Sequence, residues 1–414
     1  MSDRADLRRL LLRLFAAGLR AVDGGAAVRR TLTARPLDGP VWLCAIGKAA
    51  ESMALGACDA LGDRCIGGIL ITKTGHLHQK RLTAFGIEPL VGGHPVPTAG
   101  SLEAGARLLT AIRETPRDAT LLCLICGGGS RLAEAPIPGI GLAELQRMNR
   151  WLLGSGLSID AVNRVRKSVS RIKAGGLLHS LSDRAVRCLA ISDVPGDDPR
   201  VIGSGLLVPE PDLAERVSSL DLPDWQADAV RRGLAERGPL PGTGPTIELV
   251  ATLDEAKAAV ARAAAAEGLP CRRHEHDIAG EAAQCGQTLA HALLDGPPGL
   301  HIWGGETTVR LPAAPGRGGR NQHLALAAAI EIAGRNDCLL LSAGTDGTDG
   351  PTGDAGALVD GGTVERAELA GFNAHESLAR AEAGSLLELS GDLLCTGPTG
   401  TNVMDLILGL KLVL

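Results

Sequence analysis

Val41-Trp-Leu-Cys-Ala-Ile-Gly-Lys48 is a run of six apolar residues stopped by Gly-Lys. A continuous apolar run of this length predicts a strand buried on both faces, as in parallel sheets. Helical spacing begins at once over 49–58. Lys48 therefore stands at the carboxyl end of a strand, where open α/β sheets bind their ligands. A P-loop is excluded, because it needs glycine at position 42, where Trp42 stands.

Outward from this stretch the same unit recurs. An apolar run at 120–125 enters Cys126-Gly-Gly-Gly-Ser130, and another at 186–191 enters Ser192-Asp-Val-Pro-Gly-Asp-Asp198. A third at 338–342 enters a loop of glycines, threonines and aspartates that closes at Asp354. Further strands are expected at 68–72, 246–251, 271–276 and 300–303. Helices are expected at 3–22, 101–113, 158–169, 254–267 and 281–294. Gly304-Gly-Glu-Thr-Thr308 reads as a polar turn, with Val309 opening a hairpin. Strands alternating with helices predict an α/β class with largely parallel or mixed sheets and a Rossmann-like N-terminal half.

With 414 residues the chain is too long for one ordinary core. Gly238-Pro-Leu-Pro-Gly-Thr-Gly-Pro245 is its clearest linker, dividing an N-terminal domain, 1–237, from a C-terminal domain, 246–414. Aromatic residues are 2%, with no tyrosine, and the net charge is −5, which together argue against a nucleic-acid partner. No apolar run is long enough for a membrane span, and the charged start is not a signal peptide, so the expected place is the cytoplasm. The ten cysteines then read as reduced core residues. Cys123 and Cys126 sit three apart on a strand, facing opposite ways, so they do not make a metal or redox pair.

Candidate site residues cluster in the turns after strands. Gly127, Gly128, Gly129 and Ser130 offer successive backbone N–H groups and a hydroxyl to a phosphate. Lys173, Thr345 and Asp346 are candidates for the same nucleotide and phosphate contacts. Asp193, Glu306 and Asp346 offer the hard oxygens that magnesium prefers, and Asp193 is also a candidate acid–base group. Arg166, on a basic helix face with Asn163 and Lys167, suits an acidic substrate, and His94 in its Gly-His-Pro turn is a further ligand candidate. Pro315-Gly-Arg-Gly-Gly-Arg-Asn-Gln322 is a glycine-rich loop entering a helix. Arg317 and Arg320 bring two charges to a helix start expected to receive an anion.

Taken together, these motifs resemble the glycerate 2-kinases of the MOFRL type. The residues that carry the resemblance are Ala45-Ile-Gly-Lys48, Gly93-His-Pro-Val-Pro97, Gly127-Gly-Gly-Ser130 and Asn163-Arg-Val-Arg-Lys167. They continue with Ser192-Asp-Val-Pro-Gly-Asp197, Gly305-Glu-Thr-Thr308 and Gly319-Arg-Asn-Gln322. Thr345-Asp-Gly347, Asp349-Gly-Pro-Thr352 and Thr396-Gly-Pro-Thr-Gly-Thr-Asn402 complete the series. They occur in family order over nearly the whole chain. The resemblance implies a MOFRL-type C-terminal domain and an active site in the cleft between two α/β domains. It implies ATP-dependent phosphorylation of D-glycerate at the 2-hydroxyl, giving 2-phosphoglycerate and ADP, with magnesium. Lys48 and Arg320 fall on the family's lysine and arginine, and Asn402 on its last motif as a substrate contact. A homodimer is allowed for. Arg131, Ser168, His323 and Gly353-Asp354 depart from the family pattern and bear on which hydroxy acid is used.

Three other functions compete. One is a kinase for a related small hydroxy acid. Another is a hydroxypyruvate or tartronate reductase, which lacks its dinucleotide fingerprint here, since Asn321 stands where Gly316-x-Gly318 would need its last glycine. The last is a non-catalytic sugar-acid sensor, which has no need of Lys48, Asp193 and Arg320.

Overall fold

A computed structural model describes residues 4–413 apart from 78, 94, 95, 182, 183 and 241. The protein is α/β with two sheets. It divides into two compact units, Gly24–Val250 and Met1–Asp23 with Ala251–Leu414.

In the unit Gly24–Val250 the strands are β1 Val41–Ile46, β2 Cys65–Lys73, β3 Ile87–Gly92, β4 Thr120–Ile125, β5 Val186–Ile191 and β6 Ile247–Ala251. Their order is β3-β2-β1-β4-β5-β6. The pairs β3–β2, β2–β1, β1–β4 and β4–β5 are parallel. This is the order of a dinucleotide-binding sheet, in which the winding reverses between the first and fourth strands. Ile46 lies opposite Ile125, and Ile125 opposite Ala190, so the carboxyl ends of β1, β4 and β5 are level. Lys48, the Gly127–Ser130 turn and Asp193 therefore leave one edge of the sheet side by side. Cys44, Ile46, Cys123, Ile125 and Cys188 pack with Leu108 and Ile112 of the helix Ala99–Glu114. Every cysteine is free.

In the other unit the strands are β7 Cys271–Arg273, β8 Ile278–Glu281, β9 Gly299–Thr308, β10 Cys338–Gly344, β11 Gly356–Asp360, β12 Leu393–Leu394 and β13 Asp405–Lys411. The order β12-β11-β10-β13-β9-β7 is antiparallel from β12 to β9, while β7 and β8 run parallel to β9. The sheet is mixed, and both faces are covered. Leu340 and Ile407 pack on one side with the helix Arg320–Glu331. Their neighbours Leu339, Leu341, Leu406 and Leu408 pack on the other, with Leu7, Leu11, Leu14 and Phe15 of the helix Arg4–Ala21. The period of two along each strand assigns the faces. The first helix thus counts with the later unit, because its apolar stripe is buried there, and the division falls at the end of β6, past the Gly/Pro stretch.

Two local expectations are corrected. Residues 304–308 are not a turn: β9 runs unbroken through Thr308, with Gly305 opposite Asp405 on one side and Ile278 on the other. Pairing on both sides holds a glycine-rich polar segment extended. Nor does Val309 open a hairpin, since no strand lies between Thr308 and Arg320.

Candidate active site

At the edge of the parallel sheet the turns after β1 and β4 are sewn together. Lys48 N donates to Gly127 O at 2.9 Å, and Ala49 N donates to Cys126 Sγ at 3.1 Å. Gly47 has φ of +132°, and a Cβ there would lie 2.3 Å from Cys126 Sγ, so only glycine fits. Burial pushes the Cys126 thiol up to about 12, which leaves it inert. The charges of Asp193 and Lys48 both act on that thiol, which brings the two side chains to one neighbourhood. Ser204 Oγ donates to Ser130 Oγ at 2.7 Å. Ser204 and Ala174 both hold positive φ, +61° and +47°, and Ala174 N donates to Ser204 O. Left-handed non-glycine residues cost free energy and collect at functional sites.

Beside this turn lies a cluster of charges. Lys173 is 1% exposed, and its Nζ donates to Glu134 Oε1 at 2.7 Å. Its pKa is lowered by burial, opposed by Glu134 and helped down by the positive charges of Arg166 and Arg131. Arg166 is buried, with Nε donating to Asn149 Oδ1 at 2.7 Å, and its pKa is lowered to about 10 by burial and by Arg131. Lys173 and Arg166 both feel the carboxylate of Glu134, and both feel the positive charge of Arg131. Lys167, the third member of the expected basic face, is paired with Glu210 at 2.6 Å.

In the other unit Arg320 opens its helix. Its Nε and Nη2 donate to Asp405 Oδ2 and Oδ1 at 2.7 and 3.0 Å, and its Nη1 lies 2.9 Å from Glu306 Oε1. Burial works against the charge, but Asp405 and Glu306 outweigh it and raise the guanidinium pKa above its usual range. The N–H groups of this helix start meet a carboxyl group of the chain itself. Asp349 Oδ1 accepts from Asn321 N at 3.0 Å and Oδ2 from Gln322 N at 2.8 Å. Gly319 makes room, since a Cβ there would lie 2.2 Å from Asp349 Cγ. Arg317 is likewise taken, 2.6 Å from both Asp354 and Glu388.

The remaining candidates fall around the loop after β10. Thr345 Oγ1 donates to Met404 O at 2.6 Å and accepts from Val403 N at 2.8 Å, so its hydroxyl is spent on the fold. Asp346 Oδ1 accepts from Thr348 N and Oγ1 at 2.9 and 3.0 Å. A Cβ on Gly344 would lie 3.3 Å from Asp346 Oδ1 and 3.5 Å from Asp405 Oδ1, so these carboxylates flank one glycine. Asn402 is buried next to Val403. His94 lies outside the described residues. Among the described residues no group of three or more His, Cys, Asp or Glu is placed to hold a metal ion.

Residues 10–231 match a family model described as a domain of unknown function, DUF4147, and residues 299–405 match the MOFRL family. Over 99% of this chain and 100% of its own length, D-glycerate 2-kinase of Thermotoga maritima is 36% identical. The chain belongs to the MOFRL-type glycerate 2-kinase family. A crystal structure of glycerate kinase from Thermotoga maritima matches with a TM-score of 0.84 at 34% identity, covering 99% of this chain and 100% of that one. An Agrobacterium vitis protein named as a provisional hydroxypyruvate reductase is 34% identical over 96% of this chain and 93% of its own. The glycerate 2-kinase family is a family of phosphotransferases, and its kinase chemistry implies ATP as a substrate.

Sequence reading missed Asp405, Asp349, Glu134 and Asn149. Glu134 and Asn149 had no signal, since each meets its partner only through the fold. Asp349 had one, its place in the Asp-Gly-Pro-Thr motif, but the motif alone does not show that it meets the start of a helix.

Proposed function

We propose that the protein is an ATP-dependent kinase that phosphorylates D-glycerate on its 2-hydroxyl, yielding 2-phosphoglycerate and ADP. The observation that carries this reading is the cluster of cations formed by buried Arg166 and Lys173 with Arg131, beside the Lys48 and Gly127–Ser130 turns. A cluster of this sign suits a small carboxylic acid. Arg131 and Arg166 would take the acceptor's carboxylate, for which a planar fork is suited. Lys173, held on Glu134, would act by positioning these groups rather than by touching phosphate.

Phosphoryl transfer asks mainly for positioning and charge neutralisation. Asp193 would accept the proton of the acceptor hydroxyl. Lys48 and the N–H groups of Gly127, Gly128, Gly129 and Ser130 would neutralise phosphoryl oxygens. Arg320, aimed by Asp405, would meet the phosphates of ATP. Magnesium bound with ATP needs only one or two protein carboxylates besides phosphate and water, and Asp346, beside Gly344, fits that donor set. Asp346 would hold it, and the ion would screen phosphate charge. Asn402 and His94 remain acceptor contacts in this proposal, and Glu306 a partner of Arg320 rather than a metal ligand.

A nicotinamide-linked reductase is not favoured. In a sheet of this strand order the fingerprint glycines follow the first strand, and here Gly47-Lys48-Ala49-Ala50 stands in their place. The test is ATP with D-glycerate, 2-phosphoglycerate being resolved by phosphorus NMR. Tartronate and threonate are run beside it, and hydroxypyruvate with NADH as the control. Stoichiometric ADP and 2-phosphoglycerate are expected. NADH oxidation without ADP formation would overturn the reading.

A further inference from the structure

The unit that contains Arg320 also holds a cavity of about 350 Å³. This is within the usual size range of small-molecule sites, roughly 300–1,000 Å³. Its walls are Val309, Leu311, Pro351 and Ala381, with the backbone of Gly318, Gly319 and Gly350, and Arg320 lines it too. Thr307 and Thr308 add hydroxyls, but apolar side chains and bare glycine backbone predominate, and they are poorly suited to a three-carbon hydroxy acid. They suit a planar heteroaromatic ring, with the guanidinium reserved for charge attached to that ring.

Three further observations point the same way. Leu311 is 63% exposed, an apolar side chain on the wall without cover. Ala381 holds a positive φ of +50°, a strained conformation kept at the cavity. His323 also lines the cavity, is 6% exposed, and its Nδ1 has no hydrogen-bond partner. Its Nε2 lies 3.7 Å from Glu281 Oε1. That distance is too long for a hydrogen bond, but the carboxylate favours a proton on Nε2 of the neutral ring, which makes Nδ1 an acceptor without a donor. Burial lowers the pKa of His323, which keeps the ring neutral.

We infer that this cavity receives the base of the phosphate donor, a purine bearing an amino group, with the attached phosphates toward Arg320. The inference rests on the kinase reading and adds to it which unit binds the nucleoside and what selects its base. His323 becomes a residue that determines donor specificity. Nδ1 has almost no accessible surface, so the ring turns toward the cavity for the base's amino group to supply the donor that Nδ1 lacks.

The test is calorimetric titration of the full chain with ADP and with inosine diphosphate, whose base has an oxygen in place of the amino group. The variants are Leu311→Glu, an exposed position that leaves the core intact, and His323→Phe. A charge on an apolar wall should weaken ADP binding by about tenfold or more, and raise KM for ATP while KM for D-glycerate stays the same. His323→Phe should bring ADP and inosine diphosphate to nearly equal affinity, where the unaltered protein prefers ADP. If the unaltered protein binds ADP and Leu311→Glu binds it as tightly, the base lies elsewhere and this inference fails while the kinase reading stands. If the ADP preference survives His323→Phe, the assignment of His323 fails. If the unaltered protein binds no nucleotide, both readings fall.

Discussion

Asp405 holds the guanidinium of Arg320 from two sides, Nε to Oδ2 at 2.7 Å and Nη2 to Oδ1 at 3.0 Å. The carboxylate side chain is 3% exposed and that of the arginine 29%, so the pair is anchored at the aspartate and open at the arginine. Two parallel bonds fix the plane of the fork, which one ammonium could not reproduce. Arg320→Lys is therefore expected to lose about two orders of magnitude in kcat, the scale of one lost electrostatic stabiliser. Arg320→Ala should lose as much activity and, by leaving Asp405 buried and unpaired, also about 3–5 kcal/mol of stability. Steady-state kinetics and urea unfolding of both variants check this. Arg320→Lys with most of its kcat would remove the fork from the mechanism.

The helix that Arg320 opens carries a pH-dependent element. Burial raises the pKa of Asp349 to about 7, against the pull of the Asn321 and Gln322 N–H groups, with Asp405 adding to the rise and Arg320 opposing it. In the unfolded chain the group titrates near its ordinary value of about 4. Between these values the folded protein binds a proton that the unfolded chain has released. Asp349 thus adds stability below about pH 4, and that contribution is lost as pH rises toward 7, at no more than about 1.4 kcal/mol per unit. Asp349→Asn should be less stable at low pH, since an amide leaves one of the two N–H donors without an acceptor. The gap to the unaltered protein should narrow from pH 4 to pH 7 in chemical denaturation. A constant gap would mean that Asp349 stays ionised throughout.

Much of this was legible because buried parallel strands are uninterrupted apolar runs. β1, β4 and β5 stand where 41–46, 120–125 and 186–191 placed them, and Ser158 caps its helix by accepting from Ala161 N at 3.2 Å. The places of Lys48 and Asp193, which hang directly on strand ends, could be read with them. What the sequence hid were partners far along the chain. Arg317 looked like a ligand for an external anion because Glu388, 71 residues away, was invisible as its partner. Lys173 read as a phosphate contact for the same reason, with Glu134 39 residues back. Gly304 and Gly305 read as a turn because propensity alone cannot show strands pairing on both sides.

The Lys173–Glu134 pair gives a test of burial itself. Both side chains are almost wholly enclosed, at 1% and 5% exposure. Lys173→Met keeps the volume but leaves Glu134 without its cation, and should cost about 3–5 kcal/mol. Lys173→Met with Glu134→Leu removes both charges and should recover most of that loss in urea denaturation. If the double variant folds well yet raises KM for D-glycerate, Glu134 positions Arg166. Unchanged KM would confine the pair to stability.

Lys48 follows β1 directly, with its backbone tied to Gly127 O and its charge felt at Cys126 along with that of Asp193. Its side chain is only half-buried, so its removal should spare the fold. Under the proposed mechanism it neutralises phosphoryl oxygens while Asp193 takes the hydroxyl proton. Lys48→Ala should then lower kcat by about two orders of magnitude, with thermal midpoint nearly unchanged. Asp193→Asn should fail comparably, but for another reason, and the two losses should not add, since both serve one transferring group. Measuring kcat for each single variant and for the double variant checks this. A double variant whose loss is the product of the single losses would mean that Lys48 and Asp193 act independently, and near-normal turnover in Lys48→Ala would return that lysine to the surface of an ordinary turn.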